Sequence, residues 1–285
     1  MFGCGRYGYH TVEYRIGADY GEHMFLDITT QIGCRVNCQK YCPQELILKT
    51  HPDKLPLSLE SFKWFIRDVP KEVMIQFAGH SEPFQNSKCI DMVFHAYDKG
   101  HRKAIQSTLV GLSVPDAKRL VTIPIERLLL HLPDACGNAK IPVTPEYLEV
   151  LGVILGGVKN IGFMNMGGLF TSAGVENMHR YPLKKMGHIW CEYLETPNYS
   201  LTPDGYVYFC CWTRGISGEV GSLRNTSYPV LMTNFPEYSK RMRKELCCYC
   251  PHAMYNWVHK LIKIKTCLFG DKRIFGELPR QAGEP

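Results

Sequence analysis

A chain of 285 residues with 45% apolar and 21% charged residues is long enough to bury a core without metal or disulfide support. No apolar run approaches the roughly 18 residues of a membrane span, and the N-terminal MFGCGRYGYHTVEYRIG lacks the basic start and apolar core of an export signal, so a cytoplasmic protein without a membrane partner is expected. The net charge of +6 would suit an anion, but the basic residues are scattered or sit in helices such as Tyr238–Leu246, as on any solvated surface, and nucleic acid is not the expected partner.

In chain order, His23–Gly33 reads as a strand ending in a glycine turn. SLESFKWFIRDVP follows as a helix with apolar residues near a 3.6 period, and Val73–Gly79 is a second strand. Cys89–Lys99 is a helix closed by Gly100, whose missing side chain suits a C-cap. KAIQSTLVG is a third strand, followed by a helix near Asp116–Leu120, strand material within Arg127–Leu132, a helix at 145–155 and a strand in Asn160–Gly168. Five strand–helix units in succession are the rhythm of a parallel sheet. A closed eight-unit barrel needs about 250 residues and does not fit in this span.

From Trp190 that alternation stops. The remainder holds Cys191, a hairpin-like TPDGYVYFCCW, a glycine-rich GISGEVGSL and LCCYCPH. The reading is an α/β core over residues 1–185 followed by a small cysteine-rich α+β domain over 186–285, with the tail after Gly270 peripheral. Thirteen cysteines without an export signal point to metal ligation rather than to disulfides.

The stretch IGCRVNCQKYCPQEL carries Cys34, Cys38 and Cys42. Structural zinc takes four ligands, commonly as two close pairs. Three thiols in one loop are better matched to a four-iron cluster with one iron left open to another ligand.

That loop, a strand, Gly33, the three cysteines, Tyr41 directly before the last of them and Pro43 after it, resembles the cluster loop of radical S-adenosylmethionine (AdoMet) enzymes. The usual spacing of that family is three residues and then two, whereas here it is three and three, with Gln39-Lys40 carrying the expansion. The resemblance implies an incomplete (β/α)6-type TIM barrel, a [4Fe-4S] cluster on Cys34, Cys38 and Cys42, and AdoMet chelating the open iron. AGHSEPF is similar to the Gly-Gly-Glu-Pro segment of the family, with Gly79 and Glu82 as the anchors for the cofactor's amino group. Ser107 and Thr108 match a polar position near the methionyl carboxylate. His131, Asp134 and Asn165 sit at strand ends where barrels place functional groups, and each equally fits a turn or cap. Gly167-Gly168 suits either approach to adenosine or a plain turn.

Cys191, thirteen intervening residues, Gly205, four more and Cys210 resemble the opening of the auxiliary-cluster extension called SPASM, or Twitch in its shorter form. Cys247 and Cys250 would complete a four-thiolate site for an auxiliary [4Fe-4S] cluster. Cys211 and Cys248 are exchangeable with their neighbours, His252 and Cys267 lie close in sequence, and zinc suits four thiolates as well. Cys4, Cys89 and Cys136 show no partner spacing and read as ordinary thiols.

The activity implied is reductive cleavage of AdoMet to a 5′-deoxyadenosyl radical that abstracts hydrogen from a small-molecule or peptide substrate. The electron would come from an external donor such as flavodoxin or ferredoxin. Two rivals use the same cysteines: a metal-stabilised nucleic-acid-binding protein and an electron-transfer protein. Neither needs the Gly79-x-x-Glu82 anchor.

Overall fold

The computed structural model describes residues 24–36, 38, 42, 44–53, 55–133, 139–165, 189–213, 215–247 and 254–255. Five parallel strands form its core: β1 (Phe25–Ile28), β2 (Met74–Phe77), β3 (Lys103–Ser107), β4 (Arg127–Leu132) and β5 (Ile161–Asn165). Every residue of β1 and β2 is buried, as expected for a sheet covered on both faces. Between the strands run α1 (Gln44–Thr50), α2 (Leu59–Ile66), α3 (Cys89–Asp98), α4 (Val114–Leu120) and α5 (Pro145–Gly157).

The helices begin where the sequence supplies caps. Ser58, Ser113 and Thr144 accept the backbone N–H of Ser61, Asp116 and Tyr147, and α4 and α5 also carry proline in their first turn. α3 stops at Gly100, which takes φ +81°. Leu26, Ile28, Phe62, Phe77, Val93, Leu120, Leu128 and Ile154 belong to one buried cluster that joins sheet to helices. β2–β5 and α2–α5 lie where the sequence places them, within bounds that differ by a few residues; α1 was not expected, and β1 covers four residues of the eleven expected. After Ile28 the chain turns away to other partners, Thr29 N–H donating to Leu201 and the Thr30 carbonyl accepting from Leu57.

The later elements are β6 (Ile189–Trp190), β7 (Tyr199–Leu201), β8 (Tyr206–Tyr208), β9 (Glu219–Ser222), α6 (Tyr228–Thr233), α7 (Phe235–Glu245) and β10 (Met254–Tyr255). β7 and β8 are the expected hairpin, with Gly205 at φ +86° in its turn. β7 also pairs in parallel with β1. The result is a mixed eight-stranded sheet of order β5-β4-β3-β2-β1-β7-β8-β9, while β6 and β10 form a separate antiparallel pair. Among the described residues no helix is long and apolar enough to cross a membrane.

Candidate functional site

The three cysteines follow β1 at its C-terminal end. Gly33 (φ +91°) turns the chain, and Cys34 lies against the loop that follows β2. Its Sγ accepts the Glu82 backbone N–H at 3.4 Å and the Gln85 side-chain amide at 3.9 Å. The Cys42 N–H donates to the Cys38 carbonyl at 3.0 Å, and Cys38 is buried.

Gln44, at the start of α1, holds both ends of the loop. Its Oε1 accepts the Cys34 N–H at 3.3 Å, and its Nε2 donates to Cys42 Sγ at 3.1 Å and to the His80 carbonyl at 2.7 Å. Gln85 is the second organiser, its Oε1 accepting the Arg35 N–H at 2.9 Å. Sequence reasoning missed both glutamines, and the only signal for Gln44 was a polar residue two positions after the last cysteine. Burial pushes the Cys34 thiol up, against hydrogen bonds from the Glu82 and Val36 backbone, with Cys42 and Glu82 raising it further. A metal ion would have to displace that proton. Among the described residues, no three His, Cys, Asp or Glu side chains are grouped so as to hold a metal ion.

The turn after β2 requires its glycine. Gly79 takes φ +82°, and a Cβ there would fall inside contact distance of the Thr29 hydroxyl, which accepts the His80 N–H. Beyond it, Glu82 caps a 3-10 turn at Pro83–Gln85 and is buried among donors. Oε1 accepts Ser107 Oγ at 2.6 Å and the Phe84 N–H at 3.3 Å. Oε2 accepts the Thr108 N–H and Thr108 Oγ1, each at 2.6 Å. Burial nevertheless outweighs these bonds and holds its carboxyl above the usual range. The end of β3 and the loop after it, which supply three of the four donors, are strained: Leu109 has φ +65°, and its N–H donates to Ser107 Oγ at 2.7 Å.

Cys34, Gly79, Glu82, Ser107 and Thr108 thus meet at the C-terminal ends of β1, β2 and β3, the edge where open parallel sheets hold ligands. His131 lies in β4 and Asn165 is the last residue of β5, on the same edge by the register Leu132↔Asn165. Tyr41, Asp134, Gly167 and Gly168 lie outside the described residues.

In the second group, Cys210 and Cys247 are buried and Cys191 and Cys211 partly so. The Tyr193 hydroxyl lies 3.2 Å from Cys211 Sγ, and burial, then Cys211 and Cys210, push that hydroxyl well up. The Cys210 carbonyl accepts Thr213 Oγ1 at 2.7 Å. Cys248, Cys250, His252 and Cys267 lie outside the described residues.

A further contact links the two cysteine-bearing segments. His51, just after α1, places Nδ1 3.3 Å from Asp204 Oδ2 in the β7–β8 turn and Nε2 2.8 Å from the Gly215 carbonyl. Both nitrogens face acceptors, an arrangement that only the doubly protonated ring satisfies. A lone histidine after a helix gave no sequence signal for it.

No family model and no curated protein matches this sequence. Among solved structures, the chain is similar to BtrN in complex with AdoMet and 2-DOIA, with a TM-score of 0.58 and 14% identity over 81% of this chain and 92% of that one. BtrN in an open conformation aligns with a TM-score of 0.54 and 12% identity over 82% and 97%. The fold of this chain is the fold of those structures.

Proposed function

We propose that this chain is a radical AdoMet enzyme, with Cys34, Cys38 and Cys42 holding a [4Fe-4S] cluster beside an AdoMet site at the C-terminal edge of β1–β3. The observation that carries the reading is the Cys34 thiol set against the turn of a buried carboxylate, Glu82, in a fold crystallised elsewhere with AdoMet.

The residues present fit these groups in kind. Thiols that accept N–H···S bonds from Glu82, Gln85 and Gln44 are suited to thiolate ligation, because such donors stabilise sulfur charge. Ser81 Oγ, inside the Gly79–Glu82 turn, is buried without a hydrogen-bond partner among the described residues, as a surface that awaits a polar ligand would be. When bound, the cluster and AdoMet supply carbon–sulfur cleavage and a deoxyadenosyl radical for hydrogen abstraction.

The protein's own part is placement. Gln44 ties the first and last cysteines to the β2 turn, so the loop moves as one piece with α1. Glu82 offers the ligand ammonium a carboxylate, and to do so it releases one of its four donors. The hydroxyls of Ser107 and Thr108 are the ones that can turn away, because the backbone N–H groups of Phe84 and Thr108 are fixed. Burial of the site keeps water from a reactive ligand. Residues 186–285 would carry the auxiliary [4Fe-4S] cluster on Cys191, Cys210, Cys247 and Cys250. An external one-electron donor and a small-molecule or peptide substrate complete the system.

The test is anaerobic reconstitution, iron and sulfide analysis, reduction, and an assay for 5′-deoxyadenosine. Two four-iron clusters are expected. Cys38→Ala should abolish cleavage and remove about half the iron. Zinc in both sites, or undiminished cleavage by that variant, would sink the proposal.

A further inference from the structure

At the opposite pole of the sheet, under the N-terminal ends of β2 and β3, lies a cavity of about 290 Å³ whose charge-bearing lining is entirely basic: Lys63, Arg67, Lys71, Lys99, His95 and His101. Four elements supply it. Lys63 and Arg67 stand at the end of α2, His95 and Lys99 at the end of α3, Lys71 before β2 and His101 before β3.

Cations at helix C-termini are favoured by the helix dipole, which accounts for Lys63 and Lys99 taken singly. It does not account for Lys71 and His101, which reach the same space from other segments. Arg67 is already engaged: its guanidinium stacks 3.6 Å from the Trp64 ring, donates to the Trp64 carbonyl at 2.7 Å and pairs with Asp68 at 3.1 Å. Lys63, Lys71 and Lys99 have no carboxylate within ion-pair distance among the described residues.

The two imidazoles report the resulting field. Burial, then Lys63 and Lys99, hold His95 below its usual range, and Asp98 opposes them only in part. Burial likewise lowers His101, with Lys71, His95 and Lys103 adding to it and a contact of Nδ1 with the Val73 carbonyl, 3.4 Å away, opposing it. Lys103 is itself buried and held down by desolvation, its ammonium donating to the His101 carbonyl at 3.2 Å. Cations gathered around a concavity and offset only in part by Asp68 and Asp98 repel one another, and an anion with several oxygens would relieve that repulsion.

We propose that this cavity binds the phosphate group of a small ligand, at a site separate from the AdoMet edge and on grounds that do not require that chemistry. The ligand's oxygens would meet the Lys63, Lys71 and Lys99 ammonium groups, and its charge would favour protonation of His95 and His101. Because the cavity lies at the other end of the strands from Cys34 and Glu82, the ligand is a modulator or tether rather than the molecule that reacts.

The probe is pyrophosphate, titrated into the full-length protein while the imidazole carbon–proton NMR signals of His95 and His101 are followed, each assigned through its His→Asn variant. Saturable binding is expected, with both apparent pKa values rising by about one unit. The Lys63→Gln/Lys99→Gln protein should bind at least about tenfold more weakly, while its thermal stability and its deoxyadenosine formation stay at wild-type levels. Parallel titrations with inorganic phosphate and ATP separate the sources: equal affinity for pyrophosphate and ATP assigns the phosphates alone, and tighter ATP binding assigns a nucleotide. The inference falls if the histidine signals do not move, if sodium chloride at equal ionic strength moves them equally, or if the double variant binds pyrophosphate like wild type.

Discussion

Glu82→Gln separates what Glu82 does for the fold from what it does for a ligand. The carboxylate accepts four hydrogen bonds, two from backbone N–H groups at Phe84 and Thr108 and two from hydroxyls at Ser107 and Thr108. Glutamine has the same shape but cannot serve all four. Whichever way its amide is turned, the NH2 faces one of the two backbone donors, and an orphaned buried donor costs about 1–3 kcal/mol.

Against that stands relief of a buried charge. Burial raises the Glu82 carboxyl, so the folded state binds this proton more tightly than the unfolded state. The contribution to stability is therefore full below about pH 4.3, the ordinary glutamate value, and is lost as pH rises through the raised value. Glutamine has no such loss. In denaturant titrations the variant should gain on wild type as pH rises from acid toward neutrality.

A charge that weakens the fold near neutral pH, held where a neutral isostere nearly fits, is explained if a cationic ligand uses it. Losing a charge-assisted hydrogen bond to an ammonium is worth about 1.5–3 kcal/mol, so AdoMet binding to the reconstituted variant should weaken about ten- to hundredfold by equilibrium dialysis, with iron content unchanged. An AdoMet affinity within about threefold of wild type would refute the ammonium role and leave Glu82 as a brace between β2 and β3. Loss of both clusters would make it structural outright.

His51→Gln should release the β7–β8 turn. Asp204 raises His51 through their hydrogen bond while burial opposes it, so the stabilising contact is complete below about pH 6.5 and is lost as pH rises through the raised value. Burial acts to raise Asp204, but hydrogen bonds from His51 and Thr202 hold it below its usual range, so its contribution is present above about pH 3.9 and is lost in acid. Asp204 is 28% exposed, which limits the loss in the variant at pH 6 to about 1 kcal/mol. Faster amide exchange at Gly205 and Tyr206 at pH 6, shrinking toward no difference in alkali, is the expected result, and a pH-independent difference would refute it. Gly79→Ala combines left-handed backbone, worth about 1–2 kcal/mol, with overpacking against Thr29 of about 1–3 kcal/mol. A melting temperature within a degree or two of wild type would show that the turn relaxes without cost.

The parts legible in the sequence were those governed by local chemistry. Apolar runs gave β2, β3 and β4, Gly100 marked the end of α3, and Pro203-Asp204-Gly205 marked the hairpin turn. The Gly79–Glu82 turn was legible because its motif tracks a backbone conformation that the structure adopts, with Gly79 at positive φ. What escaped was set by partners distant in sequence. β7 finds β1 across more than 170 residues, with the Phe25 N–H donating to the Asn198 side chain at 3.0 Å, and no local pattern specifies that pairing. Gln44, Gln85 and His51 act through amides and an imidazole that look like ordinary polar residues of a helix or loop, and only their contacts show what they organise.

The position of β1 ties these observations together. It is the strand between β2 and β7, and the first cysteine loop leaves from its C-terminal end. On one side, Thr29 Oγ1 accepts the His80 N–H and Thr30 Oγ1 donates to the Pro83 carbonyl at 2.8 Å, fixing the loop's root to the Glu82 turn. On the other, the Thr29 N–H donates to the Leu201 carbonyl at 2.9 Å, fixing the same root to the hairpin that leads to Cys210. Two adjacent threonines therefore couple both segments to one backbone hinge point, and His51 adds a second tie from α1 to the hairpin turn. A shift of the hairpin cannot leave the cysteine loop untouched, because Thr29 would have to give up either the Leu201 carbonyl or the His80 N–H to accommodate it. The β7–β8 hairpin is thus tied into the root of the first cysteine loop rather than set apart from it.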